Sequence, residues 1–160
     1  GDYGLRQVLH TGKDFVIVDF EGHPGQPASE RRIKRLVLRD IAGMLCSFQY
    51  AADTALTRQV ELGRLGPDER HRLTPWAGCW RLWVSVAFLK GCLDTLGHSP
   101  LLPARDEELQ ALLELYLLHR TVDELGDHVA LGPTFVRPAC EGILQLLGQP
   151  REVSTRETGP

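Results

Sequence analysis

The feature that most constrains the fold is the uneven distribution of strand-forming segments. Short apolar, β-branched runs occur only at residues 5–9 and 15–20, and the turn-forming segment Thr11-Gly12-Lys13-Asp14 separates them, which is typical of a β-hairpin. From about Leu38 onward the apolar residues recur with a helical period. This layout leaves no βαβ unit and no parallel sheet. The sequence therefore predicts a mainly α fold with a small N-terminal β-hairpin.

Glycines and prolines divide the helical part into segments. Asp40 stands where it can cap a first helix that carries Ile41, Leu45, Phe48 and Ala52 on one face. Later helices are predicted from near Pro75 to about Leu96, over residues 106–125, and from Phe135 to Leu147. We expect residues 1–148 to form one domain and the polar residues 149–160 to form a flexible tail.

Composition excludes several classes of protein. The 160 residues are 42% hydrophobic and 24% charged, which is typical of a soluble globular domain. A net charge of −3 provides no basic field for nucleic acid, and no apolar run reaches the roughly 20 residues that span a bilayer. We therefore expect no nucleic-acid or membrane partner and a cytoplasmic protein. The cysteines form no CxxC pair and the histidines no HxxxH pair, which favours free thiols over a metal site.

Three residues near the start have a spacing that suits phosphoryl transfer. That chemistry uses one carboxylate to accept the proton of the attacking hydroxyl, and two oxygen ligands to hold Mg²⁺ on the nucleotide phosphates. Asp2 and Gln7 form a D-x4-Q pattern, and Asp19 follows an apolar strand. On these residues alone an alternative stays open, in which Asp2 is a frayed terminal residue and Asp19 an ordinary turn aspartate.

The strings around these residues resemble bacterial maltokinase and the maltokinase part of trehalose synthase/maltokinase fusions. The resemblance spans most of residues 1–148 and is most specific in the first 52. The matching strings are Gly1-Asp2-Tyr3, Gln7-Val8-Leu9, Asp14 to Gly22, Leu38-Arg39-Asp40, Ala42 to Leu45, Ser47-Phe48, Tyr50-Ala51-Ala52, Glu124-Leu125-Gly126 and Gly142 to Leu147.

The resemblance implies the C-terminal lobe of a protein-kinase-like, aminoglycoside-phosphotransferase-like fold, whose N-terminal lobe is a missing partner. It implies ATP-dependent phosphorylation of maltose to maltose 1-phosphate in trehalose or glycogen metabolism, with ATP and Mg²⁺ as cofactors. Asp2 would be the catalytic base, Gln7 and Asp19 would bind the cofactors as metal ligands, and Asp40 would support the catalytic segment. Arg120 and Glu124 are the weaker candidates for substrate contacts. The isolated lobe is expected to be inactive.

The chain also departs from the family pattern. Gly4 and Arg6 replace a His and a Gly of the opening motif, and Asp123 and Asp127 stand where the family tends to carry sugar-site residues. The residues expected to bind the sugar acceptor therefore match the family pattern less well than the residues expected to act on the phosphates. Two alternatives stay open: a catalytically silent appendage of a trehalose synthase, and a kinase for another small alcohol or amine.

Three tryptophans lie at i, i+4 and i+7 on one predicted helix, as Trp76, Trp80 and Trp83. Sugars stack on aromatic rings, so the stripe could form a carbohydrate wall. Aromatic residues at helical spacing more often pack in a core, and core packing is the interpretation that we favour from the sequence.

Overall fold

The computed structural model describes residues 3–19, 27, 29, 36–97 and 99–129. Its described part is mainly helical with one two-stranded hairpin, as the periodicity predicts. The elements in chain order are a 3-10 turn (Leu5–Gln7), β1 (Val8–His10), β2 (Phe15–Ile17), α1 (Leu38–Glu61), α2 (Pro67–Leu96) and α3 (Asp106–Val129). Asp2, the predicted helix from Phe135 to Leu147 and the tail 149–160 lie outside the described residues.

The hairpin pairs β1 with β2 in antiparallel register, with Val8 opposite Ile17 and His10 opposite Phe15. Its turn is closed by a 2.8 Å hydrogen bond that the Thr11 amide donates to the Asp14 carbonyl. Gly12 takes a φ of 93°, a left-handed conformation that glycine adopts without steric cost. The predicted hairpin is therefore present, with shorter strands than the sequence indicates.

Residues 5–7 form a 3-10 turn rather than the strand predicted there. The Gln7 amide donates a 3.0 Å hydrogen bond to the Gly4 carbonyl, and this local bond bends the chain just before β1. Apolar content alone does not separate such a turn from the first residues of a strand.

Helix α1 is the centre of the packing. It supplies the buried hydrophobic residues of the described part, namely Leu38, Ile41, Ala42, Met44 and Phe48. The Phe48 ring meets the rings of Trp80 and Phe88 on α2 edge to face, and the Cys46 Sγ lies 3.9 Å from the Thr121 Oγ1 on α3. Helices α2 and α3 thus both pack on α1.

Two predicted helix starts are corrected by the structure. Val37 is the N-cap of α1, so Asp40 lies in the first turn, where a carboxylate still complements the partial positive charge of the helix N-terminus. Helix α2 begins at Pro67 and contains Pro75 in its interior. Its start is set by Gly66, Pro67 and Glu69: the Glu69 Oε2 accepts a 2.8 Å hydrogen bond from the Gly66 amide, and proline suits the first helical position.

The expectation that the three tryptophans pack in the core is wrong for the described structure. Trp76 and Trp83 are 72% and 74% exposed, and Trp80 is 47% exposed. Helix α2 is apolar on both sides, so the sequence period did not show which side faces α1. Within the described residues, no helix is long and apolar enough to cross a membrane.

Candidate active site

The hairpin places the backbones of Gln7 and Asp19 near each other. The Val18 amide donates a 2.8 Å hydrogen bond to the Gln7 carbonyl, which continues the pairing of Val8 with Ile17 by one step. Asp19 follows directly after Val18. Because paired strands lie about 4.8 Å apart, the two predicted metal ligands come from adjacent backbones at the same end of the hairpin.

Asp19 has an unusual backbone. Its φ is 60°, and among the described residues it is the non-glycine residue with a positive φ. Aspartate tolerates this region better than most side chains, but the conformation still costs on the order of 1–3 kcal/mol and is concentrated at functional sites. The Asp19 side chain is exposed. The hairpin thus ends in a strained turn with an accessible carboxylate.

Gln7 provides the second oxygen in a different setting. It is 8% exposed, and its Oε1 lies 3.5 Å from the position that a Cβ on Gly4 would occupy. A buried amide and an exposed carboxylate are both hard oxygen donors, and Mg²⁺ is usually held by one or two carboxylates together with phosphate oxygens and water. The described residues contain no group of three or more His, Cys, Asp or Glu side chains that could hold a metal. Gln7 and Asp19 thus supply oxygen donors of the kind that Mg²⁺ accepts, and their sharing of one metal ion stays a prediction.

The segment that contains Tyr3 to Gln7 is held on α1 by two small residues. The Leu5 amide donates a 3.1 Å hydrogen bond to the Ser47 Oγ, and that hydroxyl donates to the Met44 carbonyl at 2.7 Å. One turn earlier, a Cβ added to Gly43 would come within 2.5 Å of the Tyr3 carbonyl oxygen. Gly43 therefore admits the backbone of the segment to within contact of the helix.

Sequence reasoning assigned no role to Ser47 or Gly43. Their signal is the i, i+4 spacing of two small residues on one face of a helix, beside larger apolar residues on the other faces. That pattern is visible in the sequence, but it does not indicate which segment packs there.

Tyr3 lies near Asp40 at the start of α1 and near Cys92 toward the end of α2. Burial, followed by the neighbouring Cys92 and Asp40, raises the pKa of its phenol. Asp40 thus lies near the residue that follows Asp2, and its support of the catalytic segment stays a prediction. Asp2 itself, the predicted base, lies outside the described residues.

Arg120 and Glu124, the candidate substrate residues, form an ion pair with each other on α3. The Arg120 Nε lies 3.1 Å from the Glu124 Oε1, and both side chains are mostly buried. Burial, followed by the charge of Glu124, raises the pKa of the Cys46 thiol to about 12. Glu124 is therefore a neighbour of Cys46.

Asp123 and Asp127 stand at positions where the family pattern carries other residues. Asp123 accepts from His119, with 2.9 Å between Oδ2 and Nδ1 in an exposed i, i+4 pair. The side chain of Asp127 lies outside the described part of the chain.

Comparison with known proteins relates the chain to sugar kinases. No family model matches it. A glucosamine kinase of Mycolicibacterium smegmatis is 33% identical over 119 residues, which cover 71% of this chain and 27% of that protein. A glucosamine kinase of Streptacidiphilus jiangxiensis is 27% identical over 62 residues, which cover 39% of this chain and 14% of that protein. The chain thus spans about a quarter or less of the relatives it matches, and part of it is similar in sequence to part of two kinases that are named for a sugar.

Proposed function

We propose that this chain is the C-terminal lobe of a protein-kinase-like, aminoglycoside-phosphotransferase-like enzyme that transfers phosphate from ATP to a sugar. The observation that carries the proposal is the hydrogen bond from the Val18 amide to the Gln7 carbonyl, just beyond β2 and next to Asp19, together with the left-handed backbone of Asp19. The similarity to two glucosamine kinases supports the same reaction class.

The proposed roles follow from the chemistry of phosphoryl transfer. Asp2 accepts the proton of the attacking sugar hydroxyl. Gln7 and Asp19 would hold Mg²⁺, which would neutralise charge on the phosphates of ATP. Ser47, Gly43 and Asp40 act through the backbone of the catalytic segment, because their contacts are with Leu5 and Tyr3. The remaining contacts to ATP would come from an N-terminal lobe.

Two acceptors are candidates. The opening motif resembles maltokinase, which favours the anomeric hydroxyl of maltose. The curated relatives are named for glucosamine, which favours an amino sugar. The family positions that suggest maltose are altered at Asp123 and Asp127, so we place glucosamine first and maltose second.

The test is an acceptor panel with the natural open reading frame that contains these residues. Glucosamine, maltose, glucose and a sample without sugar are compared by ADP release and by mass spectrometry of the sugar phosphate. We expect sugar-dependent ADP release with glucosamine or maltose. Asp2→Asn should lower kcat by roughly 10²–10⁴-fold, as for loss of a general base, and Asp19→Asn should lower it while raising the Mg²⁺ requirement.

Asp14→Asn is the matched control, since Asp14 lies in the same hairpin and its Oδ1 accepts from the Phe15 amide at 2.7 Å. It should leave kcat within a few-fold of the unchanged protein. If no sugar stimulates ADP release and Mg-ATP does not bind by calorimetry, the chain is better described as a silent appendage. If Asp2→Asn retains full turnover, the base is assigned wrongly.

A further inference from the structure

Helix α2 carries an apolar surface that faces away from the rest of the described structure. We call it the outer face and define it by Trp76, Cys79, Trp80, Leu82, Trp83 and Val86, all of which are exposed. A tryptophan side chain has roughly 200 Å² of contact surface, so the three indoles alone leave on the order of 400 Å² in water. Patches of that size on a soluble protein usually mark an interaction site.

Most of the outer face lies away from the side of α2 that packs on α1, and Trp80, whose ring also meets the Phe48 ring edge to face, lies at its border. Phe88 meets Phe48 and Arg81 donates to Gln49 at 3.3 Å, which places both residues toward α1. At 100° per residue, Trp76 and Trp83 fall on the opposite side of α2 from these two residues. Covering the outer face therefore requires no change in the packing of α1 against α2.

Charged residues stand at both ends of the outer face. At its N-terminal end Glu69 and Arg72 line a recess of about 230 Å³ with Leu65, Leu73 and Trp76. At its C-terminal end the Lys90 Nζ lies 2.6 Å from the Asp94 Oδ2. Each end thus offers one acid and one base beside apolar surface.

We propose that the outer face binds a second copy of this chain, with the two α2 helices antiparallel about a two-fold axis. Glu69 lies seven residues before Trp76, and Lys90 lies seven residues after Trp83. The register that sets Trp76 against Trp83 of the second copy therefore also sets Glu69 against Lys90 of the second copy. Two-fold symmetry makes each of these pairs twice.

The charges in this register alternate in sign along each end of the interface. In order along one end of the interface, they are Arg72 and Glu69 of one copy, followed by Lys90 and Asp94 of the second copy. A parallel arrangement would instead set Glu69 against Glu69 and Lys90 against Lys90, where the like charges would repel each other. The outer face is therefore self-complementary in one orientation only.

The recess beside Trp76 and the area of the outer face both suit a second copy of the chain as the partner. In the antiparallel register the recess receives Trp83 and Val86 of the second copy, which are apolar residues with at least half of their surface exposed. A standard interface buries about 800 Å² per partner, and the indoles with Leu73, Leu82 and Val86 supply most of that area. Because the outer face contains neither Gln7 nor Asp19, this inference does not depend on the proposed reaction.

The test is the mass in solution of the protein expressed from the natural open reading frame that contains these residues, measured by light scattering across a dilution series. We expect a dimer that dissociates on dilution. Glu69→Lys and Lys90→Glu should each raise the dissociation constant of the dimer by roughly ten-fold or more. The double variant should restore the dimer, because it exchanges the charges of both partners of the pair. Lys13→Glu, in the exposed hairpin turn, is the control and should leave the dimer unchanged.

Three results would overturn the proposal. They are a monomer throughout the dilution series, a dimer that persists in Trp83→Asp, and a double charge swap that dissociates as readily as the single variants. Circular dichroism of each variant identifies any that fails to fold, and Trp83→Asp is suited to this test because the exposed side chain can be changed without disturbing a core.

A second measurement checks the register. The position that matches Cys79 is Trp80 of the second copy, so the two Cys79 thiols lie close to the two-fold axis. A short bis-maleimide should join two chains through Cys79, and Cys79→Ser should remove the cross-linked band. If that band persists in Cys79→Ser, the antiparallel register is wrong.

Discussion

At the scale of single residues, Gly43 and Asp19 show how closely the site depends on backbone geometry. Gly43 admits the Tyr3 carbonyl to a distance that no Cβ permits. Asp19 holds a positive φ that most side chains avoid. Both residues shape the course of the chain on either side of Gln7, so substitutions there act on the site through the backbone.

The first prediction concerns Gly43. Gly43→Ala should destabilise the fold by about 1–3 kcal/mol, because the new methyl group meets the Tyr3 carbonyl oxygen and the segment must move. Gly91→Ala is the matched control: it is also inside a helix, and a Cβ there meets nothing within 4 Å. That variant should gain about 0.5–1 kcal/mol from the helix preference of alanine. Urea unfolding measures the change in the free energy of unfolding for both variants. Equal changes would contradict the close approach of the Tyr3 carbonyl to Gly43.

The second prediction concerns Cys46, whose thiol pKa is raised by burial and by Glu124 from its ordinary value of 9.0 to about 12. Thiolate is the reactive form, so Cys46 should resist iodoacetamide at pH 8 in the folded chain while the exposed Cys79 reacts. Peptide mass spectrometry reads out both sites. Labelling of Cys46 as fast as Cys79 would contradict its burial.

The same shift has a consequence for stability. Below pH 9 the Cys46 thiol is neutral in both the folded and the unfolded chain, so its full contribution to the free energy of unfolding is present. As the pH rises from 9 toward 12 the unfolded chain ionises first, and the free energy of unfolding should fall over that window. Cys46→Ala should remove this part of the pH dependence in urea titrations at several pH values, and an unchanged slope would contradict the assignment.

At the scale of elements, the hairpin and its support on α1 form the unit that places the proposed metal ligands. The ladder fixes Gln7 next to the end of β2, and the Ser47 hydroxyl joins the preceding turn to α1. The hairpin, the helical character of the rest and the proximity of Gln7 to Asp19 were predictable, because alternation, turn residues and spacing are local properties of the chain.

Other features were not predictable from local pattern. The exposure of the tryptophans depends on which of two apolar sides of α2 meets Phe48. The burial of the Arg120–Glu124 pair depends on the packing of α3 beside Cys46. Each is decided by tertiary contacts that sequence spacing does not encode.

The third prediction belongs to this scale. Ser47→Ala removes the acceptor of the Leu5 amide and should cost about 1 kcal/mol, with faster hydrogen exchange at the Leu5 amide. Thr95→Ala is the control, because the Thr95 hydroxyl donates at 2.7 Å to the Gly91 carbonyl within its own exposed helix. It should change stability by less than about 0.5 kcal/mol. Unchanged exchange at Leu5 in Ser47→Ala would show that the segment is held by other contacts.

At the scale of the whole molecule, the other elements of the described structure contact α1 at different places. One side of α1 holds the segment from Tyr3 to Gln7, while α2 and α3 pack on it elsewhere. The outer face of α2 remains available for a second copy. The proposed phosphotransfer and the proposed dimer thus use separate surfaces, and either can fail without the other.

The central claim is that Gln7 and Asp19 hold a divalent metal at the end of the hairpin. Its most direct test is a titration of the ¹⁵N-labelled chain with Mn²⁺ in place of Mg²⁺, followed by paramagnetic broadening of amide signals. The account predicts that the amides of Gln7, Val18 and Asp19 broaden first, that Asp19→Asn abolishes this, and that Asp14→Asn leaves it unchanged. Broadening that begins elsewhere, or that is the same in Asp19→Asn, would contradict the account.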